Sequence, residues 1–348
     1  MKASFLMPGT VIDGRYKVEG IISTGSFGIV YRARDLRTET DVAFKILHEQ
    51  ARGVPQHVGR FNREGRLGSR LTHPHIVPHL DFGTIDDEHG GGPYLVLALI
   101  QGLPLGDMID LRGPLNVKEA VHVLGHVLDA LHAVHCLGAI HRDLKPDNVL
   151  VALPDLPEVE IDLAGSIAAR VGVPEPSHPC WSDLTGAHAT LLDFGLGKFL
   201  TTAGHNFTKI TTTGMAAGTL YYMSPEQILA EEDLDYRADI YGAAMLFFRM
   251  LNGDPPYDGQ MMVQIATSHL EAPAPSLPDG LDDHPVGAAY RRAAMKKRDQ
   301  RFTSAAEMAW ALRAAIDPEL AAQPAPSFEP PHTPAETKRS LWARLFGR

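Results

Sequence analysis

Residues 141–150 read His-Arg-Asp-Leu-Lys-Pro-Asp-Asn-Val-Leu, and no other stretch of the chain carries as much chemistry. Asp143, a carboxylate that can act as a base, is followed two residues later by Lys145, a cation suited to phosphate, and five residues later by Asn148, an amide suited to a metal ion. Short motifs arise by chance, so the interpretation depends on whether residues of matching chemistry follow in order along the chain.

Length and composition predict a large globular chain. Its 348 residues are 44% hydrophobic and 21% charged, enough for a sizeable core and for two lobes or domains. A net charge of -10 argues against binding to nucleic acid. The two cysteines have no disulfide or metal-ligand spacing. The N-terminal residues lead into no sustained apolar run. The apolar stretch 94–100 is far shorter than the roughly 20 residues that cross a bilayer. We therefore expect a cytoplasmic protein.

The first third of the chain is rich in strand signals. We expect short strands at 16–19, 29–33 and 42–46, followed by a polar helix over about 58–71. The turn at 23–28 reads Ser-Thr-Gly-Ser-Phe-Gly, and its glycines allow backbone N–H groups to approach phosphates closely. A tight hairpin without a ligand is the alternative for this turn.

The stretch 141–150 resembles the catalytic loop of eukaryotic-type (Hanks-type) serine/threonine protein kinases. The resemblance implies that Asp143 accepts the proton of the substrate hydroxyl, that Lys145 stabilises the transferring group, and that Asn148 binds a magnesium ion. Asp193 begins an Asp-Phe-Gly sequence similar to the family's other metal-binding motif. We therefore expect ATP and Mg²⁺, with Mn²⁺ as a substitute, and protein substrates.

The strand-rich region resembles the family's ATP-binding lobe. Val-Ala-Phe-Lys at 42–45 is similar to its Val-Ala-Ile-Lys strand, so Lys45 would contact the α- and β-phosphates and Glu64 would pair with Lys45. Ser23 replaces the first glycine of the family's Gly-x-Gly-x-x-Gly, from which we expect a stiffer lid and weaker ATP binding. Leu97 would close the back of the adenine pocket. The resemblance assigns ATP binding to Ser23, Gly25, Gly28, Val30, Ala43, Lys45, Glu64, Leu97, Leu99 and Leu150.

Further family motifs follow in sequence order. Thr219 falls where the family has a threonine that contacts the catalytic aspartate and lysine, and Met-Ser-Pro-Glu at 223–226 resembles the Ala-Pro-Glu that closes the activation segment. Asp239 would anchor the catalytic loop from below, and Arg301 would pair with Glu226.

The resemblance covers about 16–316 and implies an α+β class, the bilobal protein-kinase fold, in the style of bacterial Hanks-type members. We expect an N-terminal segment at 1–15, a β-rich N-lobe at about 16–98, a helical C-lobe at about 103–316 with an insertion at about 152–189, and a Pro-rich linker with a basic amphipathic tail at 317–348.

The insertion is the unusual part, because Asp143 and Asp193 are fifty positions apart. Loops longer than about 12–15 residues tend to be functional or disordered. We expect either a surface excursion between two strands, with one short helix at 161–171, or a docking surface for a substrate or regulator. The tail at 338–348 is basic and amphipathic, so it is either a frayed end or a contact for an anionic membrane or a partner.

Threonines in the activation segment suggest regulation by phosphate. Arg142 precedes the expected base, and by resemblance it receives a phosphothreonine through charge-assisted hydrogen bonds. We predict Thr211 and Thr213 as the principal autophosphorylation sites; the alternative is a flexible threonine-rich loop.

Several histidines occur at short spacings. We interpret them as turn, packing or surface residues, with metal binding as the alternative. They are His73, His75 and His79, the pair His122 and His126, and the pair His132 and His135.

The sequence thus predicts ATP-dependent phosphorylation of serine and threonine on proteins. A pseudokinase scaffold is the first alternative, and it is disfavoured by the intact Lys45, Asp143, Asn148 and Asp193. A small-molecule kinase of related fold is the second, and it is disfavoured by the activation-segment closing motif.

Overall fold

The computed structural model describes residues 6–25, 28–86, 89–154, 160–161, 170–171, 181, 183–193, 217–259 and 261–326. These residues form two lobes, each with its own apolar core. Within the described ranges, no helix is both long and apolar enough to cross a membrane.

The first lobe is built on a six-stranded antiparallel sheet with the order β1-β2-β3-β4-β6-β5. Its strands are β1 Val11–Ile12, β2 Tyr16–Thr24, β3 Gly28–Asp35, β4 Thr40–Leu47, β5 His79–Ile85 and β6 Gly92–Ala98. Side chains of β3 alternate between buried and partly exposed positions, as expected for a strand with one face on a core. The three predicted strands are therefore confirmed. Each is longer than predicted, because residues that flank the predicted segments also join the hydrogen-bonded ladder.

Aromatic rings fill the core of this lobe. The rings of Phe44 and Tyr94 stack with centroids 4.9 Å apart, and Tyr16 packs against Phe44 at 5.6 Å. All three side chains are buried, so β2, β4 and β6 are fixed relative to one another.

Two helices follow β4, α1 Glu49–Arg52 and α2 Pro55–Gly68, and α2 packs against β5 and β6. The helix predicted over 58–71 is confirmed as α2, which begins three residues earlier because Pro55 occupies its first turn. A Cβ atom at Gly68 would lie 2.1 Å from the ring of His79, so the glycine permits close contact between α2 and β5.

The second lobe is mainly helical. Its helices are α3 Leu105–Arg112, α4 Val117–Cys136, α5 Ala217–Leu220, α6 Pro225–Ile228, α7 Arg237–Asn252, α8 Met262–Glu271, α9 Pro285–Ala293, α10 Ala305–Ala314 and α11 Pro318–Ala321. A three-stranded sheet, β7 Leu103–Pro104, β8 Val149–Ala152 and β11 His188–Leu191, lies in the order β11-β8-β7. Helix α4 starts at a capping box, in which Asn116 and Glu119 exchange side-chain to backbone hydrogen bonds.

The predicted insertion joins β8 to β11, which pair antiparallel. The helix predicted over 161–171 is wrong at both ends, because Glu160–Ile161 (β9) and Arg170–Val171 (β10) pair as antiparallel strands. Ile and Val are β-branched and favour this extended backbone. Nearer β11, Trp181 and Leu184 are buried in the core of the second lobe.

Candidate active site

The cleft between the lobes contains one lysine bonded to two carboxylates. Lys45 Nζ, on β4, donates to Glu64 Oε1 of α2 at 2.8 Å and to Asp193 Oδ1, two residues beyond β11, at 2.7 Å. The side chains of Lys45 and Glu64 are 14% and 8% exposed, whereas that of Asp193 is 40% exposed. Three segments that are distant in sequence are thereby tied to one ammonium group.

Burial and mutual charge shift the pKa of each member of this triad. Burial raises the pKa of Glu64, and the attraction of Lys45 only partly offsets that rise. For Asp193 burial also opposes ionisation, but Lys45 outweighs it and the pKa is lowered. With one ammonium group and two carboxyl groups, the site has a negative electrostatic potential. A divalent cation would be stabilised there.

The stretch 141–150 forms a compact loop around Asp143. Asn148 Nδ2 donates to the Asp143 backbone oxygen at 2.7 Å and to its Oδ2 at 3.1 Å, and Lys145 Nζ lies 3.8 Å from the same Oδ2. Because the amide nitrogen of Asn148 is used for these bonds, its Oδ1 is the atom suited to a cation. Leu192 N donates to Asn148 O at 2.8 Å, which places Asp193 beside this loop.

Asp239 fixes the backbone of the loop, as the sequence predicted. Its carboxylate, on α7, accepts from the backbone N–H groups of His141 and Arg142, each at 2.8 Å. His135 Nε2 donates to the same carboxylate at 2.8 Å. Of the packing and surface positions predicted for His135, packing is confirmed and the surface position is wrong, because the side chain is buried and bonded to Asp239. Arg142 has φ of 67°, a strained conformation that these bonds support.

A small apolar cluster lies beside Lys45. Val30, Ala43, Leu97 and Leu99, all predicted to bind ATP, belong to it together with residues that sequence reasoning missed, namely Ile22, Val77, Ile100 and Leu192. Leu150 lies on β8, paired with Pro104 and Thr190, and is not a member of this cluster. Ile22 could have been found from its position on the strand that enters the glycine-rich turn. Such a cluster suits the apolar faces of an adenine ring.

The glycine-rich turn requires glycine at one described position. A Cβ atom at Gly28 would lie 2.2 Å from the backbone oxygen of Ile46. Gly25 N donates to Gly28 O at 2.9 Å, which closes the turn, and Ser23 pairs with Val30 across β2 and β3. The turn is therefore tight and close to β4, which carries Lys45.

Three later motif residues occupy the second lobe near the loop. Glu226 accepts two hydrogen bonds from Arg301, NH1 to Oε1 at 2.5 Å and NH2 to Oε2 at 2.8 Å, and both side chains are buried. Thr219 is buried and lines the same small cavity as Asp143. Gln227, which sequence reasoning missed, donates from Nε2 to Arg142 O at 2.8 Å.

Two arginines on α2 were also missed. Burial lowers the pKa of Arg142, and the charges of Arg60 and Arg63 lower it further against the opposing charge of Asp239. The charges of the two arginines on α2 therefore act on the guanidinium group of Arg142 in the catalytic loop. The sequence shows that the spacing of Arg60 and Arg63 places them on one helix face. Their interaction with Arg142 could not be predicted, because it depends on the fold.

Several predicted features lie outside the described residues. These are Phe194 and Gly195, the threonines Thr211 and Thr213, most of the insertion at 152–189, and the tail at 338–348.

Comparison with known proteins identifies the family. Residues 16–279 match the protein kinase domain family, and the chain belongs to that family, whose members use ATP with Mg²⁺.

Relatives in bacteria are similar in sequence. The chain is 33% identical over 309 residues to the serine/threonine-protein kinase PknE of Mycobacterium tuberculosis, covering 87% of this chain and 46% of PknE. It is 30% identical over 299 residues to the serine/threonine-protein kinase PknB of Mycolicibacterium smegmatis, covering 85% of this chain and 42% of PknB. The chain thus spans less than half the length of these two relatives.

The fold also has a counterpart among solved structures. The crystal structure of the Mycobacterium tuberculosis PknI kinase domain superposes with a TM-score of 0.60 at 23% identity, covering 89% of this chain and all of that one. The predicted fold class, α+β with a β-rich and a helical lobe, is confirmed.

Proposed function

We propose that this chain transfers the γ-phosphoryl group of ATP to serine and threonine hydroxyls of proteins. The observation that supports this most strongly is the bonding of Lys45 to both Glu64 and Asp193, at 2.8 and 2.7 Å. This arrangement prepares a phosphate-binding cation and a metal-binding carboxylate at one place. Positioning and electrostatic stabilisation are the main contributions that a protein makes to phosphoryl transfer.

The roles of the residues follow from their chemistry and positions. Lys45, oriented by Glu64, would contact the phosphates, and Asp143 would accept the proton of the attacking hydroxyl. Lys145, 3.8 Å from Asp143, would contact the transferring group. Asp193 and the Oδ1 of Asn148 are hard oxygen donors that suit Mg²⁺, or Mn²⁺ in its place. When bound, the metal would supply positive charge next to the phosphates.

Replacement of Lys45 by methionine tests this function. We expect phosphate transfer from radiolabelled ATP to a mixture of serine and threonine peptides to fall at least about 10²-fold, because the phosphates would no longer be positioned. Lys17→Met, on the exposed face of β2, is the matched control and should retain activity. Equal activity of Lys45→Met and wild type would overturn the proposal. Nucleotide binding without any transfer by wild type would favour a scaffold.

We also propose that phosphorylated Thr211 or Thr213 is received by Arg142 together with Arg60 and Arg63. Burial is the main cause of the lowered pKa of Arg142, and repulsion by the charges of Arg60 and Arg63 lowers it further. A phosphate would relieve this repulsion and join α2 to the catalytic loop through charge-assisted hydrogen bonds. Since α2 carries Glu64, the phosphate would also stabilise the bond to Lys45.

A double replacement, Arg60→Gln with Arg63→Gln, should therefore weaken activation. We expect the ratio of activities of the phosphorylated and phosphatase-treated protein to fall about tenfold. Arg66→Gln, exposed on the same helix, is the control and should leave the ratio unchanged. An unchanged ratio in the double variant would show that α2 takes no part in receiving the phosphate.

We also propose partners and a cellular location for the chain, from the composition of its segments and their positions in the fold. Protein substrates follow from the proposed activity. The insertion at 152–189 is proposed to bind a regulator, since Trp181 and Leu184 anchor its second end in the core. The tail at 338–348 is proposed to contact an anionic membrane or a partner, and the chain to act in the cytoplasm without nucleic acid.

A further inference from the structure

Four histidines from three separate segments converge around the start of β11. His75 precedes β5, His122 and His126 lie one turn apart on α4, and His188 begins β11. The rings of His75 and His126 stack with centroids 3.8 Å apart, His188 lies 4.6 Å from His75, and His122 lies 4.5 Å from His126. We call these four residues the histidine cluster.

The histidine cluster holds the start of β11 by hydrogen bonds. His122 Nε2 donates to Ala187 O at 2.8 Å, and His75 Nδ1 donates to Ala189 O at 3.0 Å. Ala189 N donates to His126 Nδ1 at 3.3 Å. His188 Nε2 donates to the backbone oxygen of residue 74 at 3.0 Å. All four rings thus contact the backbone of β11 or of the segment packed against it.

The bond from Ala189 N specifies a neutral His126. His126 Nδ1 accepts a hydrogen bond, so this nitrogen must keep its lone pair while the bond exists. Protonation of His126 needs that lone pair and would break the bond to Ala189. A second charge on the stacked ring of His75 would add repulsion at 3.8 Å.

The surroundings disfavour charge on His126. Burial lowers its pKa from 6.5 to about 3, and the neighbouring histidines contribute, whereas Asp129 on α4 opposes the shift. Arg313 of α10 donates to Asp129 at 2.6 Å and so competes for that carboxylate. Burial likewise lowers the pKa of His75, and the charges of His188 and His73 lower it further, whereas the hydrogen bond to Ala189 O and the charge of Asp129 oppose the shift. Asp183, before β11, is the acid on the side of His122.

Strand β11 leads directly to the metal-binding aspartate of the proposed site. Leu191 N donates to His75 O at 2.9 Å, Leu192 N donates to Asn148 O at 2.8 Å, and Asp193 follows. We propose that the histidine cluster is an acid-sensitive latch, closed when His126 is neutral, that positions β11 and the two residues leading from it to Asp193, and releases them on acidification. In the part of the chain that the structure describes, no group of three or more His, Cys, Asp or Glu side chains is arranged to hold a metal ion.

The direction of the pH effect follows from linkage. The pKa of His126 is about 3 with the latch closed and 6.5 when the ring is free, so opening binds a proton at any pH between these values. Closure is therefore fully stable above pH 6.5 and weakens as the pH falls. Between pH 7.5 and 5.5, His126 alone should increase the opening equilibrium about tenfold.

Hydrogen exchange of the full chain tests the latch without relying on kinase activity. We expect the protection factors of the amides at 189–191 to fall at least about tenfold between pH 7.5 and 5.5, relative to amides in α7. In His126→Asn the side-chain amide oxygen can replace Nδ1 as the hydrogen-bond acceptor, and it does not titrate. The fall in protection factors between pH 7.5 and 5.5 should therefore be about tenfold smaller in this variant than in wild type. His75→Asn, which keeps a donor at the Nδ1 position, should also reduce the fall.

His284→Asn is the matched control, because His284 Nδ1 also accepts a backbone N–H, that of Val286, far from the cluster. This variant should show the full wild-type fall. A wild-type change below about twofold would overturn the latch, and so would an undiminished fall in His126→Asn and His75→Asn.

Discussion

Replacement of Asp143 by asparagine is expected to lower kcat for peptide phosphorylation by about 10²–10⁴-fold, the usual contribution of a positioned base. Asparagine keeps the size of the side chain and can still accept from Asn148 Nδ2, which now bonds to Asp143 at 3.1 Å. The loop should therefore keep its shape while losing the group that takes the hydroxyl proton. Steady-state kinetics with a saturating peptide measures the loss, and nucleotide affinity should remain close to wild type.

Asp147→Asn provides the matched control for that experiment. Asp147 is exposed in the same loop, four residues after Asp143, and the change removes the same charge. It should leave kcat within about twofold, since an exposed charge interacts weakly with the site. A kcat of Asp143→Asn equal to that of Asp147→Asn would contradict the assignment of Asp143 as the base.

Replacement of Glu226 by alanine is expected to lower the free energy of unfolding by about 3–5 kcal/mol, because it leaves a buried guanidinium without its carboxylate. Arg301 is fully buried and donates to both oxygens of Glu226. Its remaining bonds go to the backbone oxygens of Met295, Arg237 and Lys296, which carry no full charge. Urea denaturation should show a lower midpoint with an unchanged slope.

An exposed ion pair of the same lobe provides the control for that loss of stability. Asp233 pairs with Arg298, but the Asp233 side chain is 71% exposed. Asp233→Ala should cost about 0–1 kcal/mol, since solvent screens such a pair. Equal losses of unfolding free energy in Asp233→Ala and Glu226→Ala would contradict the claim that the buried Glu226–Arg301 pair stabilises the fold more than an exposed pair does.

The fold and much of the candidate site could be predicted from the sequence because the motifs are local. The residues at 141–150 and the Val-Ala-Phe-Lys sequence at 42–45 each resemble a family motif over a few consecutive positions. The bond between Lys45 and Glu64 joins residues only nineteen positions apart, within one lobe. In each case the neighbouring residues carry the signal.

Other features depend on contacts between distant segments and could not be predicted. His126 bonds to residue 189, and His135 bonds to Asp239, across 63 and 104 positions. Nothing near either histidine indicates these partners, so both were interpreted as packing or surface residues. The helix predicted over 161–171 was wrong because β9 and β10 pair with each other, and apolar periodicity in a short segment does not distinguish the two states.

The most direct test of the central claim is phosphosite mass spectrometry after incubation with Mg²⁺ and ATP, comparing wild type with Asp143→Asn. If the chain is a kinase whose base is Asp143 and whose switch is the activation segment, phosphate should appear on Thr211 or Thr213 in wild type alone. The absence of phosphate from wild type, or equal phosphorylation of the two proteins, would contradict the account.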